Sequence, residues 1–177
     1  MSNTYFCWTF EIDEARMPVD GNAVSALLGE MDAEGSALMS ASRNDWHMQR
    51  LGDVLRASGA DRLAFLDATR GQRTVDDAGS AWRHSRLLAV DVPGALDQLD
   101  RLLERAIDDP AYFVPFFARD GWNLDDIRAG REQPVTVDGD EGTGPAYFFD
   151  HMVGLRALLA RAKAAEQGVA HIAFLVE

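Results

Sequence analysis

Alternating apolar and polar positions at the start of the chain predict a β-strand. Over residues 5–12 every second side chain is apolar, the period that places one face of a strand on a core. A second strand is predicted over residues 86–92, RLLAVDV, ending before Pro93. The chain closes on residues 169–176, which are apolar on both faces, a pattern typical of a strand near the middle of a sheet.

Apolar residues at helical spacing predict the main helices. The cleanest stripe follows Pro93, which suits the first turn of a helix because no N–H is needed there, and it predicts a helix over residues 94–107. A longer helix is predicted over residues 146–166. Gly168 is placed to adopt the left-handed conformation that often ends a helix.

The first third of the chain predicts two further helices and a short strand. Asp20 can cap the first helix. Asn44 or Asp45 can open the second, and Gly59 closes it. The apolar run over residues 63–66 predicts a strand.

Polar and broken patterns predict loops elsewhere. Residues 67–79 form a polar loop, and residues 111–144 an irregular region. Within that region the aromatic run 112–117 contains Pro115, which predicts an extended or turn-like segment. Asn123 can cap one short helical turn.

These elements define the predicted fold class, a single α+β domain over residues 1–177. Its mixed β-sheet contains the N- and C-terminal strands, which are candidate neighbours, together with residues 86–92 and 63–66. The amphipathic helices over the second half cover that sheet. A chain of 177 residues is close to the usual size of one domain.

Charge and composition restrict the classes of molecule that the chain can bind. The net charge is −12, so the chain is a poor match for duplex nucleic acid, which needs clustered basic residues, and a better match for a basic protein. Residues 104–150 alone contribute −7.

No secretion signal or membrane-length apolar run is recognisable, and the single Cys7 excludes an internal disulfide, so we expect a cytoplasmic protein outside the membrane. The oligomeric state stays open.

No catalytic, nucleotide-binding or metal-binding motif is present in the sequence. The candidates for chemistry are His151 or His47 as a base, and Arg70 and Arg73 as an anion site in the polar loop. The acidic stretch 138–145 lacks the residues that a calcium loop needs, so no metal or cofactor is predicted. Cys7 is interpreted as a packed side chain.

The most unusual local feature is a set of large rings interleaved with carboxylates. Such rings can anchor a protein partner while charges steer its approach, although aromatic residues more often cover a core. We therefore predict a non-enzymatic protein-binding module, for instance an immunity or antitoxin-type protein with a basic partner. The alternative is a small hydrolase that uses a histidine base and an arginine-lined anion site. The predicted partner-binding residues are Tyr112, Phe116, Asp120, Trp122, Asp125 and Asp126.

Three stretches resemble the YfbM-like family of uncharacterised small bacterial proteins. They are the helix NDWHMQRLGDVL, the strand and helix RLLAVDVPGALDQLDRLL, and the closing FFDHMVGLRALLARAKAAEQGVAHIAFLVE. The stretches cover about half of the chain and match in apolar spacing. The resemblance implies an arrangement of helices and strands and transfers no catalytic residue.

Overall fold

The elements surround one antiparallel sheet. The computed structural model describes residues 5–33, 39–43, 45–133 and 143–175. In these ranges the strands are β1 (Tyr5–Ile12), β2 (Met39–Arg43), β3 (Gln72–Val75), β4 (Ala81–Leu87) and β5 (Gly168–Leu175). The α-helices there are α1 (Gly21–Ala33), α2 (Asp45–Ser58), α3 (Val92–Asp108), α4 (Val114–Phe117), α5 (Leu124–Glu132) and α6 (Pro145–Ala164). Short 3-10 helices cover Glu14–Arg16, Asp61–Leu66, Ala68–Arg70, Ala89–Asp91, Pro110–Phe113 and Ala118–Asp120.

The sheet places the two terminal strands side by side. Its order is β2-β1-β5-β4-β3, so β5 is the central strand, as its two apolar faces predicted. β1 and β5 pair along their whole length, with Trp8 opposite Ile172. The prediction of a mixed sheet is wrong, because each described pair of strands is antiparallel. Neighbouring strands run in opposite directions, so no described pair needs the long crossover connection that joins parallel strands.

Helices cover both faces of this sheet. On one face α1 packs Val24 and Leu27 against Phe10 and Ile172. On the other face α3 and α6 share one core with Leu87 and Val169 of the sheet. The α+β class and the two long covering helices are therefore confirmed.

The predicted strand over residues 63–66 is wrong. Its residues lie in the 3-10 helix Asp61–Leu66, where Leu63, Phe65 and Leu66 are all buried, so the burial does not alternate as in a strand. One edge of the sheet is formed by β3, which lies inside the segment predicted as a polar loop. β3 is mostly exposed, which explains why its composition resembles that of a loop.

The predicted strand over residues 86–92 lies earlier in the chain. β4 ends at Leu87, and Ala89–Asp91 forms a 3-10 helix that leads into α3. Leu88 and Val90 are exposed, so their apolar character does not mark a strand. The polar half of β4 has specific partners instead, since Ser85 donates a hydrogen bond to the carbonyl of Phe65.

Two predictions about residues that interrupt or end helices also require correction. The aromatic run is helical, because Pro110 and Pro115 both lie in the first turns of helices, where a missing N–H has no cost. Gly168 does not adopt the left-handed conformation at the end of α6, whereas Glu166 does, with φ of 54°. Gly168 opens β5, where a Cβ would lie 2.7 Å from the carbonyl oxygen of Leu87.

Candidate functional site

The rings of the predicted partner-binding segment pack onto the main core. Phe113 and Phe117 are completely buried, and their neighbours in the segment are half-buried against the same cluster. The guanidinium of Arg105 lies over the ring of Tyr112, 3.6 Å from the ring centroid, which fixes the orientation of that ring. The half-buried rings are those of Tyr112, Phe116 and Trp122.

The Asp120 carboxylate is held by two side chains of α2. One carboxylate oxygen accepts hydrogen bonds from Trp46 Nε1 at 2.7 Å and from Arg50 Nε at 2.9 Å. Burial acts to raise the pKa of Asp120, but these bonds and the arginine charge outweigh it and lower the pKa below its ordinary value. Asp120 therefore holds α2 against the aromatic segment.

The other two carboxylates predicted to bind a partner, Asp126 and Asp125, differ in their contacts and exposure. Asp126 accepts a hydrogen bond from the backbone N–H of Asn123, whose own side chain caps α5, so the two form a capping box. The Asp125 side chain is 89% exposed, and Arg128 contacts it at 3.3 Å. Of the three predicted carboxylates, Asp125 has the most exposed side chain.

A chain of alternating charges runs from Asp120 along α2 to Arg70. Its five successive N···O distances are 2.9, 2.8, 2.7, 2.7 and 3.5 Å. The Arg50 side chain is only 2% exposed, so its guanidinium is buried between two carboxylates. This charge chain joins the predicted partner-binding segment to the predicted anion site. In order, it consists of Asp120, Arg50, Asp53, Arg56, Asp67 and Arg70.

The charge chain combines local and long-range contacts. Arg50, Asp53 and Arg56 follow one another at i,i+3 spacing on α2, which places their side chains on one face of the helix. The Asp67 carboxylate is buried, and it also accepts hydrogen bonds from the N–H and the hydroxyl of Thr69. Asp67 thereby fixes the 3-10 helix that carries Arg70.

Two adjoining depressions lie beside the end of the charge chain. The first has a volume of about 280 Å³, with Arg56 and Arg70 at its border and Ala64 among its apolar lining residues. The second has a volume of about 210 Å³, and both are lined by Gly59 and Ala60. The size of the pair together falls within the usual range for small-molecule sites.

Arg73 does not share this location with Arg70. It lies on β3 opposite Arg83, at the edge of the sheet, and does not line the depression that Arg70 borders. The two predicted anion-binding residues therefore do not form one site.

The two predicted catalytic histidines meet inside the protein. His47 Nε2 lies 2.7 Å from His151 Nδ1, so one ring donates a hydrogen bond to the other. Both rings are buried, and His47 packs edge-on against Tyr147. Neither ring lines the depression beside Arg70.

A second buried histidine site lies on the central strand. His171 Nδ1 is 2.9 Å from the Thr9 hydroxyl, and both residues are inaccessible to a substrate. Burial lowers the pKa of His171 to about 4, against the opposing effect of the nearby Asp67 charge. Burial also lowers the pKa of His84, on β4.

The described ranges contain no group of three or more His, Cys, Asp or Glu side chains placed to hold a metal ion. Residues 138–142 of the acidic stretch lie outside these ranges. Among the helices that the structure describes, none has both the length and the apolar character needed to span a membrane. Cys7 is buried beside Met48, as predicted for a packed side chain.

Comparisons with known proteins show a weak likeness in structure. No protein-family model and no curated protein matches the chain. A search of solved structures found similarity to the crystal structure of YfbM from Escherichia coli, a protein of unknown function. The similarity covers 97% of this chain and 99% of that chain, at 17% sequence identity and a TM-score of 0.44. These values do not place the chain in the YfbM-like family.

Proposed function

We propose that this protein is a non-enzymatic binding module that docks a basic protein, in the manner of an immunity or antitoxin-type protein. The partner contacts a surface formed by half-buried rings and two exposed carboxylates, which we call the docking surface. It consists of Asp108, Tyr112, Phe116, Trp122 and Asp125.

The observation that carries this proposal is the fixed orientation of the rings. Their inner edges pack on the core, Arg105 covers Tyr112, and the charge chain holds the following segment through Asp120. Rings that are already immobile lose little conformational entropy when a partner covers their exposed edges. Half-buried aromatic residues are typical anchors of protein interfaces.

Charge supports a basic partner. Asp108 forms no ion pair with any residue that the structure describes, and Asp125 is largely exposed with a single arginine neighbour. The net charge of −12 attracts cationic proteins and accelerates their association at low salt.

Charge reversal tests this proposal. Tagged wild-type protein and the double variant Asp108→Lys/Asp125→Lys are used to capture proteins from a lysate of the source organism. The matched control, Asp77→Lys/Asp97→Lys, makes the same charge change at two exposed carboxylates outside the docking surface. We expect one basic protein to be retained by wild type and control and lost by the docking variant. Equal retention by both variants would contradict the proposed surface.

The hydrolase alternative has one observation in its favour, the direct contact of His47 with His151. Both rings are buried away from the depression beside Arg70, which is why we favour binding. Hydrolysis of p-nitrophenyl acetate and p-nitrophenyl phosphate by wild type and His151→Gln decides between the two. Activity that disappears in the variant, while the variant keeps its thermal stability, would favour the enzyme.

A further inference from the structure

We propose that the two depressions on either side of Gly59 form one site for a small organic dianion, such as a dicarboxylate or a diphosphate. One anionic group binds Arg70 and the other binds Arg101. None of the docking-surface residues lines either depression, although Arg105 lines the second one and also covers Tyr112. The two proposals are therefore tested with different variants.

Arg70 supplies free donors at the first depression. Asp67 is already satisfied by Arg56 Nη1 at 2.7 Å and by Thr69, so it does not require Arg70. The contact that Arg70 makes is Nε to Asp67 at 3.5 Å, which leaves both terminal nitrogens without a hydrogen bond among the described residues. A guanidinium with unused donors in a fork is the group that proteins use to hold carboxylates and phosphates.

Arg101 supplies the matching donors at the second depression. It is exposed on α3, lines that depression, and forms no ion pair with the described residues. Gln98 and Arg105 line the same depression, so its polar groups are mainly donors. The Gln98 amide nitrogen donates to Asp61 at 2.6 Å and lowers the pKa of that carboxyl, so Asp61 remains ionised at the border of the first depression.

The charges over both depressions favour an anion. Arg56 and Arg70 balance two aspartates at the first depression, whereas two arginines give the second a charge of +2, on a protein whose total is −12. A positive concave surface on an acidic protein concentrates anions locally. The charged lining residues are Arg56, Arg70, Arg101, Arg105, Asp61 and Asp67.

The surface between the two depressions, which we call the saddle, is open enough for one ligand to extend from one depression into the other. Gly59 and Ala60 are the residues that both depressions share. A Cβ built on Gly59 would meet nothing within 4 Å, so the space above this residue is open. An elongated molecule can therefore lie across Gly59 with one charged end in each depression, and a monoanion can use only one end.

Titration followed by backbone amide NMR tests the site, with succinate and pyrophosphate as dianionic probes and acetate as the single-charge probe. Ionic strength is held constant with sodium chloride. We expect saturable shifts at residues 56–70 and 98–105 with the dianions. Acetate should bind at least about tenfold more weakly, because it forms one of the two charge-assisted contacts.

Three variants complete the test. Arg70→Gln and Arg101→Gln should each weaken dianion binding by about tenfold. Arg128→Gln is the matched control, because the Arg128 side chain is 52% exposed against 56% for Arg70 and both form an i,i+3 ion pair. Gly59→Asn keeps a residue that tolerates the φ of 66° and places a side chain on the saddle, so it should also weaken the dianions.

Two results would overturn the proposal. One is the absence of saturable shifts in the wild-type protein with both dianions. The other is equal affinity of Arg70→Gln and Arg128→Gln for them, which would show that the shifts reflect general charge screening.

Discussion

The buried His171 predicts a loss of stability in mild acid. Its ring lies on the central strand beside Thr9, and burial lowers its pKa from 6.5 to about 4. Because the pKa is lower in the folded protein, the unfolded chain binds the proton first as the pH falls. The stability present above pH 6.5 is therefore lost progressively toward pH 4.

The size of this loss of stability follows from the pKa values of His171 in the unfolded and folded protein. One pH unit corresponds to about 1.4 kcal/mol for a group that is protonated in only one of the two states. Between pH 7 and pH 5 the loss from His171 amounts to about 2 kcal/mol of unfolding free energy. The pKa of His84 is also lowered, which acts in the same direction. Asp76, with a pKa of about 2, loses its contribution at lower pH.

Urea unfolding at pH 7 and pH 5 checks this prediction in wild type and in His171→Asn. Asparagine can place an amide group near the position of Nδ1, beside the Thr9 hydroxyl, and does not titrate. The free energy of unfolding should fall less in the variant than in wild type, by about 2 kcal/mol over this interval. The comparison uses the difference between the two pH values, so a constant loss from the substitution cancels. An equal fall in both proteins would refute the reasoning.

Three substitutions test the packing and the caps. Arg50→Met breaks the buried part of the charge chain and should lower the unfolding free energy by about 2–3 kcal/mol, measured in urea. Asn123→Ala removes the cap of α5 and should cost about 1 kcal/mol in the same assay. Gly168→Ala places a Cβ 2.7 Å from the Leu87 carbonyl oxygen and should lower the melting temperature, at a cost of about 1–3 kcal/mol.

Each substitution has a control in the chain. Arg119→Met removes an exposed arginine beside the same Asp120, and a loss equal to that of Arg50→Met would mean that burial of the charge is unimportant. Asn123→Asp keeps a capping oxygen, so it should retain most of the stability. Gly29→Ala adds a Cβ with nothing within 4 Å, and it should not destabilise α1.

The sequence predicts the elements whose apolar residues follow a clear pattern along the chain. Apolar residues alternate along β1 and recur at helical spacing along α3 and along residues 148–162 of α6, and the positions of these elements agree with the structure. The pattern fails at β3, an edge strand with little burial, and at the segment 63–66, where a 3-10 helix buries consecutive residues. A short polar edge strand and a 3-10 helix have neither the period of a strand nor that of an α-helix, whereas the uniformly buried β5 is predicted from its two apolar faces.

The sequence pattern also does not show which residues of the candidate site contact one another. The i,i+3 spacing on α2 is visible in the sequence, but Asp67 and Asp120 join it from other elements, and Asp120 lies 70 positions from Arg50. The contact between His47 and His151 spans 104 positions. Tertiary folding alone brings these groups together, so local spacing gives no signal for them.

The salt dependence of affinity for a captured basic partner tests the proposed function most directly. The dissociation constant is measured across a range of salt concentrations for wild type, Asp108→Lys/Asp125→Lys and Asp77→Lys/Asp97→Lys. We expect affinity to fall steeply with salt for wild type and for the control pair. The docking variant should bind at least about tenfold more weakly at low salt, with a shallower dependence. Equal affinity and equal salt dependence in all three proteins would contradict binding through the docking surface.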